Sequence, residues 1–307
     1  MAIDLHDAKL VITANGYKAG TLYSLKPYDG SGDATVTRST TATRMNSSNL
    51  IETVAANVPR LDYTNTTCPS ILVEGQSTNL FNYSDDFANA YWTKTRATIT
   101  SDSIASPIAS VNADKMIPEV ISGNHFVRRT TTASNTSFTF SGYFKDGGYN
   151  IWLRFTGAAF DNRVEYGFNL TNGTEIDFIQ GGTFTGSRTF VSLANGWYRL
   201  IVTINVPSGE PNLQNSMFAY NGSVSFTPDG TSGFYVIGAQ LEEQSIVSSY
   251  VPTTNQTVTR NADVVSVTGL TGTSTLTETF EDDTTNVITN PTTYTMSNGR
   301  IKKVVRL

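Results

Sequence analysis

The run Asn195-Gly196-Trp197-Tyr198-Arg199-Leu200-Ile201-Val202-Thr203-Ile204-Asn205-Val206 leaves this chain little choice of local structure. Tyr198, Leu200, Val202, Ile204 and Val206 share one parity and are all apolar, while Trp197, Arg199, Ile201, Thr203 and Asn205 occupy the other. A two-residue period with one buried and one largely wet face is an antiparallel strand. Asn195-Gly196 opens it with turn chemistry, and Pro207 closes it because proline has no N–H for a ladder. The pattern recurs. Phe138, Phe140 and Phe144 share a face, as do Tyr149, Ile151, Leu153 and Phe155 after the Asp146-Gly147-Gly148 turn. Val164, Tyr166, Phe168 and Leu170 follow before the turn at 171–174, and residues 234–241, apolar on both parities, read as a central strand. No amphipathic helix of three turns interrupts them. The expected fold is all-β, an antiparallel jelly-roll β-sandwich over residues 81–265.

The flanks are patterned more weakly. Residues 1–35 hold one short apolar run at 8–12 and four glycines at 16, 20, 30 and 32. They read as an extended arm, a candidate segment for docking to a larger particle. Residues 36–80 are an extended lead-in broken by Pro59, Pro69 and Gly75, with 50–56 patterned like a helical turn but marginal in length. Beyond 265 the composition turns Thr-rich. Alternation at 273–280 and an Asn298-Gly299 hairpin signal between 294–296 and 301–305 predict a small C-terminal β-meander over 266–307. Arg300, Lys302, Lys303 and Arg306 fit the edge of that sheet, where basic residues deter aggregation.

Composition narrows the function. Charged residues make up 15% of the chain, well under the roughly 25% of an average domain, and Thr, Ser, Asn and Gly take their place. A net charge of −5 argues against nucleic acid as a partner. Cys68 is the sole cysteine, so neither an intrachain disulfide nor a thiolate metal cluster can form. No apolar run approaches the roughly 20 residues of a bilayer span, and the first residues lack the basic and apolar regions of a signal peptide. No membrane insertion is expected, and if the protein works outside a cell it gets there without a cleaved leader.

Catalytic groups are sparse. His6 and His125 are the only histidines, and neither sits in triad or zinc spacing. Asp85-Asp86, Glu242-Glu243 and Asp282-Asp283 are adjacent pairs, which point to opposite faces of a strand. Asp85-Asp86 and Asp282-Asp283 also read as solvated acidic loops rather than calcium sites. No catalytic residue, metal or cofactor is assigned, and an enzyme remains only as a depolymerase or glycosidase alternative with carboxylates from distant strands. A sharper composition lies on the parity opposite the core. Asn150, Trp152 and Arg154 share it on one strand, Glu165 on the next, and Trp197 and Arg199 on the opening strand. An aromatic ring flanked by amide and guanidinium donors suits a sugar, provided these strands share a sheet. The alternative is that Trp152 and Trp197 are covered by a loop or by another subunit.

Several phrases also match a known family. They are Val36-Thr37-Arg38-Ser39-Thr40-Thr41-Ala42-Thr43-Arg44-Met45-Asn46, Asn57-Val58-Pro59-Arg60-Leu61-Asp62-Tyr63 and Leu72-Val73-Glu74-Gly75-Gln76-Ser77-Thr78-Asn79-Leu80. Tyr83-Ser84-Asp85-Asp86-Phe87, Asn195-Gly196-Trp197-Tyr198-Arg199 and Gly238-Ala239-Gln240-Leu241-Glu242 continue the series. Ser249-Tyr250-Val251-Pro252-Thr253-Thr254 and Thr259-Arg260-Asn261-Ala262-Asp263 close it. Over roughly 36–263 the chain resembles phage head-spike and tail-fibre proteins, whose jelly roll is similar to carbohydrate-binding modules and concanavalin A-like lectins. The resemblance implies a virion surface protein, commonly a homotrimer, assembled in the host cytoplasm and partnered by capsid or tail proteins. It does not imply a glycan, and a host surface glycan belongs to the alternative reading of a receptor-binding protein. The resemblance carries no fixed set of ligand residues.

Overall fold

In the computed structural model, which describes residues 7–64 and 67–307, strand Trp197–Asn205 is paired antiparallel along both edges. Its neighbours are Ser137–Gly147 and Thr185–Ser192. The sheet has six strands, running Ala97–Ala105, Asn112–Pro118, Gly233–Glu242, Ser137–Gly147, Trp197–Asn205 and Thr185–Ser192. The first sheet, as we term its partner, runs Thr93–Thr95, Phe126–Thr132, Asn212–Tyr220, Asn150–Thr156, Arg163–Asn169 and Thr174–Gly181. Phe138, Phe140, Leu200, Val202 and Ile204 of one sheet and Ile151, Leu153, Phe155, Val164 and Phe168 of the other pack into one core. The molecule is therefore all-β, an antiparallel β-sandwich, with the parities read above facing inward. Each such side chain contributes about 1.5–3 kcal/mol by leaving water.

Strand Gly233–Glu242 lies inside its sheet between Asn112–Pro118 and Ser137–Gly147. Both its faces are buried, as its apolar parities require. Its partner carries an irregular register between Ser141 and Tyr143, and opposite this lies Gly238 at φ 66°. A Cβ there would stand 2.7 Å from the Tyr143 ring. Glycine is the residue that meets both demands.

The chain divides into two units, Thr78–Thr259 holding the sandwich and Met1–Ser77 with Arg260–Leu307 forming the other. This second unit revises three expectations. Residues 7–35 are not a free arm: Leu10–Thr13 pairs with Gly299–Arg306, and Leu10, Ile12 and Leu22 share a core with Val265, Leu276, Ile301 and Val304. Nor is 266–307 a self-contained meander, because Gly299–Arg306 also pairs with Ser70–Val73. The Asn298-Gly299 turn joins strands that do not pair with each other, since Tyr294–Thr295 pairs with Val264–Val267. Finally, Ile51–Val54 is a strand against Ala42–Met45, not a helical turn. Local patterns marked several of the strands, but the partners came from distant sequence.

Candidate functional site

Asn150, Trp152, Arg154 and Glu165 project from the first sheet away from the core, because the intervening residues fill it. Arg154 lies directly across from Glu165, and Trp152 across from Gly167. The Glu165 carboxylate gathers its neighbours: Oε2 accepts from Trp152 Nε1 at 2.5 Å and from Arg154 Nε at 2.9 Å. Arg163 Nε approaches Oε1 at 2.8 Å. Gly167 makes room for the indole, since a Cβ there would fall 2.5 Å from the ring. Tyr220 stacks on Trp152 with centroids 5.0 Å apart at 21°. Trp152 is consequently only 8% exposed, a supporting ring and not an open platform. Asn150 Oδ1 is occupied by the Leu170 N–H at 3.0 Å.

Trp197 and Arg199 belong to the other sheet. Trp197 is buried. Arg199 donates to Ser141 Oγ at 2.9 Å and to the Ser248 carbonyl at 2.8 Å, with its guanidinium 5.4 Å from the Tyr143 ring centre. The outer faces of a sandwich's two sheets look in opposite directions across the core. The six candidates therefore do not converge. Asn150, Trp152, Arg154 and Glu165 form one cluster, while Trp197 and Arg199 brace the covered back of the other sheet.

The cluster is larger than the sequence parity indicated. Phe160, in the loop before Arg163–Asn169, is 61% exposed. Its ring centre lies 5.5 Å from the Arg154 guanidinium and 5.4 Å from that of Arg163. Arg154 also lies 4.7 Å over Phe218, which pairs across the strands with both Trp152 and Phe126. Arg128, two strands from Arg154, donates to Gln214 at 2.9 Å. Arg163 shares a strand face with Glu165 and was legible in that sense. Phe160 sits in a loop without periodicity, and Phe218 reaches the site only through pairing.

Elsewhere, residues of several of the phrases quoted above act as internal supports. Arg38 Nη1 meets Asp263 Oδ1 at 2.7 Å, and Arg60 joins the other oxygen of Asp263 while holding Glu74 at 2.8 Å. Arg260 completes the group 3.4 Å from Glu74. Within the sandwich, Tyr250 donates to Asp85 at 2.6 Å, and the Gly238 N–H reaches the same carboxylate at 3.2 Å. Asp85 is thus not a solvated loop residue: burial raises its pKa to about 6. Asp282, by contrast, is exposed and held below the usual carboxylate range by the Thr284 hydroxyl and N–H. In Glu242-Glu243 the first member is buried and the second exposed, while in Asp85-Asp86 the first is half-buried and the second exposed.

His125 is wholly buried, its ring nitrogens 2.9 and 3.1 Å from the carbonyls of Arg96 and Phe226. His6 lies outside the described residues. Among those described, no three His, Cys, Asp or Glu side chains group as metal ligands would. A cavity of about 240 Å³ in the second unit is lined by Asn15, Pro69, Ser70, Glu281 and Lys303 among others. No aromatic ring is among its lining residues. Compared with known proteins, the chain matches no family model and no curated sequence.

Proposed function

We propose that this protein is a non-enzymatic phage virion-surface protein, a head or tail fibre or decoration protein. In this reading it displays a lectin-like jelly roll for attachment to host or environmental surfaces and acts as a homotrimer. The observation that carries it is the position of the family phrases. Arg38, Arg60, Glu74, Arg260 and Asp263 come from four separate phrases and meet in one buried charge cluster. Asp85, Gly238 and Tyr250 come from three more and meet around one carboxylate. Phrases with jobs of this kind describe a shared scaffold more readily than chance similarity of surface composition does.

Attachment through a surface glycan is the specific form of this reading. It is favoured by the Phe160, Arg154 and Arg163 grouping, which puts an exposed ring beside hydrogen-bond donors. Immunogold labelling of intact virions tests the location, and light scattering of the purified chain tests assembly. Gold on heads or fibres and a mass about three times 33.3 kDa support the reading. A 33.3 kDa particle at micromolar concentration, with unlabelled virions, would overturn it.

A further inference from the structure

The arginines on the outer face of the first sheet are only half used. Arg154 spends Nε on Glu165, and its two terminal nitrogens make no hydrogen bond among the described residues. Arg163 likewise turns Nε to Glu165, and its closest other carboxylate is Asp161, 3.9 Å away and 93% exposed. One carboxylate, 4% exposed, therefore anchors two guanidiniums from behind. Their terminal forks are left toward solvent, with side chains 16% and 27% exposed. Such a fork matches a carboxylate in bidentate geometry. Arg128 adds a third positive group on the same face, its Nη1 held by Gln214. All this occurs on a chain whose net charge is −5, so the local excess is not a consequence of bulk composition.

Phe160 supplies what a simple anion would not need. It is a flat apolar ring, largely exposed, about equidistant from both guanidiniums. We infer that this face binds an acidic saccharide, a sugar bearing a carboxylate: Phe160 stacks on the C–H face of the ring, and Arg154 and Arg163 grip its carboxylate. Trp152 and Glu165 are positioning residues that fix the two arginines and do not touch the ligand. This rests on the attachment reading and adds the ligand class to it.

The test uses the full-length protein with polygalacturonate, its carboxyl-reduced galactan derivative and poly-glutamate, each titrated calorimetrically. Polygalacturonate should bind, weaken as salt rises and lose about tenfold in affinity with Phe160→Ala. Arg163→Gln should weaken it further. Phe160→Ala should melt like the parent, because its ring is 61% exposed, whereas Arg163→Gln also takes a guanidinium from the buried Glu165 and should melt somewhat lower while remaining folded. The reduced polymer should not bind. Equal binding of poly-glutamate would overturn the inference in favour of a charge-only surface for acidic peptides. Binding of the reduced polymer unaffected by Phe160→Ala would overturn the acidic-sugar assignment while leaving glycan attachment standing. No binding to any polymer also overturns it, and adsorption of the parent to host cells then decides whether attachment falls as well. A change of oligomeric mass in Phe160→Ala would reassign the face to contact between copies.

Discussion

Arg38 and Asp263, 225 residues apart in sequence, meet through Nη1 and Oδ1 at 2.7 Å with side chains 0% and 2% exposed. Asp263 also holds Arg60, so one carboxylate compensates two fully buried guanidiniums. It accepts the Glu74 N–H at 2.9 Å as well. Breaking a buried pair by removing one partner costs about 3–5 kcal/mol, because the remaining charge stays out of water. Asp263→Asn should therefore approach the whole stability margin of a typical domain, about 5–15 kcal/mol. Asp283→Asn removes a surface partner of Lys302 and should change stability by less than about 0.5 kcal/mol. Urea midpoints of the two variants distinguish them, and equal midpoints would show that the cluster is not a structural requirement.

Asp85 gives a pH signature of opposite sign to the usual carboxylate. Burial raises its folded pKa from 3.8 to about 6, so between those values the folded chain retains a proton that the unfolded chain releases. Stability from this group is present below the unfolded pKa and declines as pH rises toward 6. Asp114, nearby, is displaced in the same direction, chiefly by burial. Asp85→Asn keeps an acceptor for Tyr250 and the Gly238 N–H without the charge. Relative to the parent it should gain stability between pH 4 and 7, by up to about 3 kcal/mol. Denaturation curves across that range that stay parallel for the two proteins would contradict this.

Trp152 should behave as a support. Its indole is 8% exposed, stacked on Tyr220 and bonded to Glu165. Trp152→Ala removes a buried aromatic and one donor from a buried carboxylate, a loss of about 3 kcal/mol or more. The melting temperature should fall by several degrees. A variant melting with the parent would restore the ring to the role of an exposed platform.

Truncation of residues 1–35 should not release an inert arm. It deletes Leu10–Thr13, which pairs with Gly299–Arg306, and takes Leu10, Ile12 and Leu22 from the second core. Limited proteolysis should then cut rapidly within 266–307 while the fragment 78–259 stays intact. Unchanged resistance of 266–307 would mean that its strands need no N-terminal partner.

Local sequence settled what has a local cause. The two-residue period put Val202 and Ile204 in the core and Thr203 outside it, since alternate side chains of a strand must face opposite ways. Asn195 at φ 59° and Gly196 at φ 73° form the turn their chemistry announces. Tertiary structure decided everything that depends on which strand lies beside which. It placed Trp152 and Trp197 on opposite sheets, although their strand faces read alike. It brought Leu10–Thr13 to the far end of the chain, and set Phe160, from a loop with no period to read, against Arg154 and Arg163. The physical reason is that alternation fixes a side chain's face within its own strand. The partner across the ladder is chosen by the packing of the whole chain, over separations as long as the 225 residues between Arg38 and Asp263.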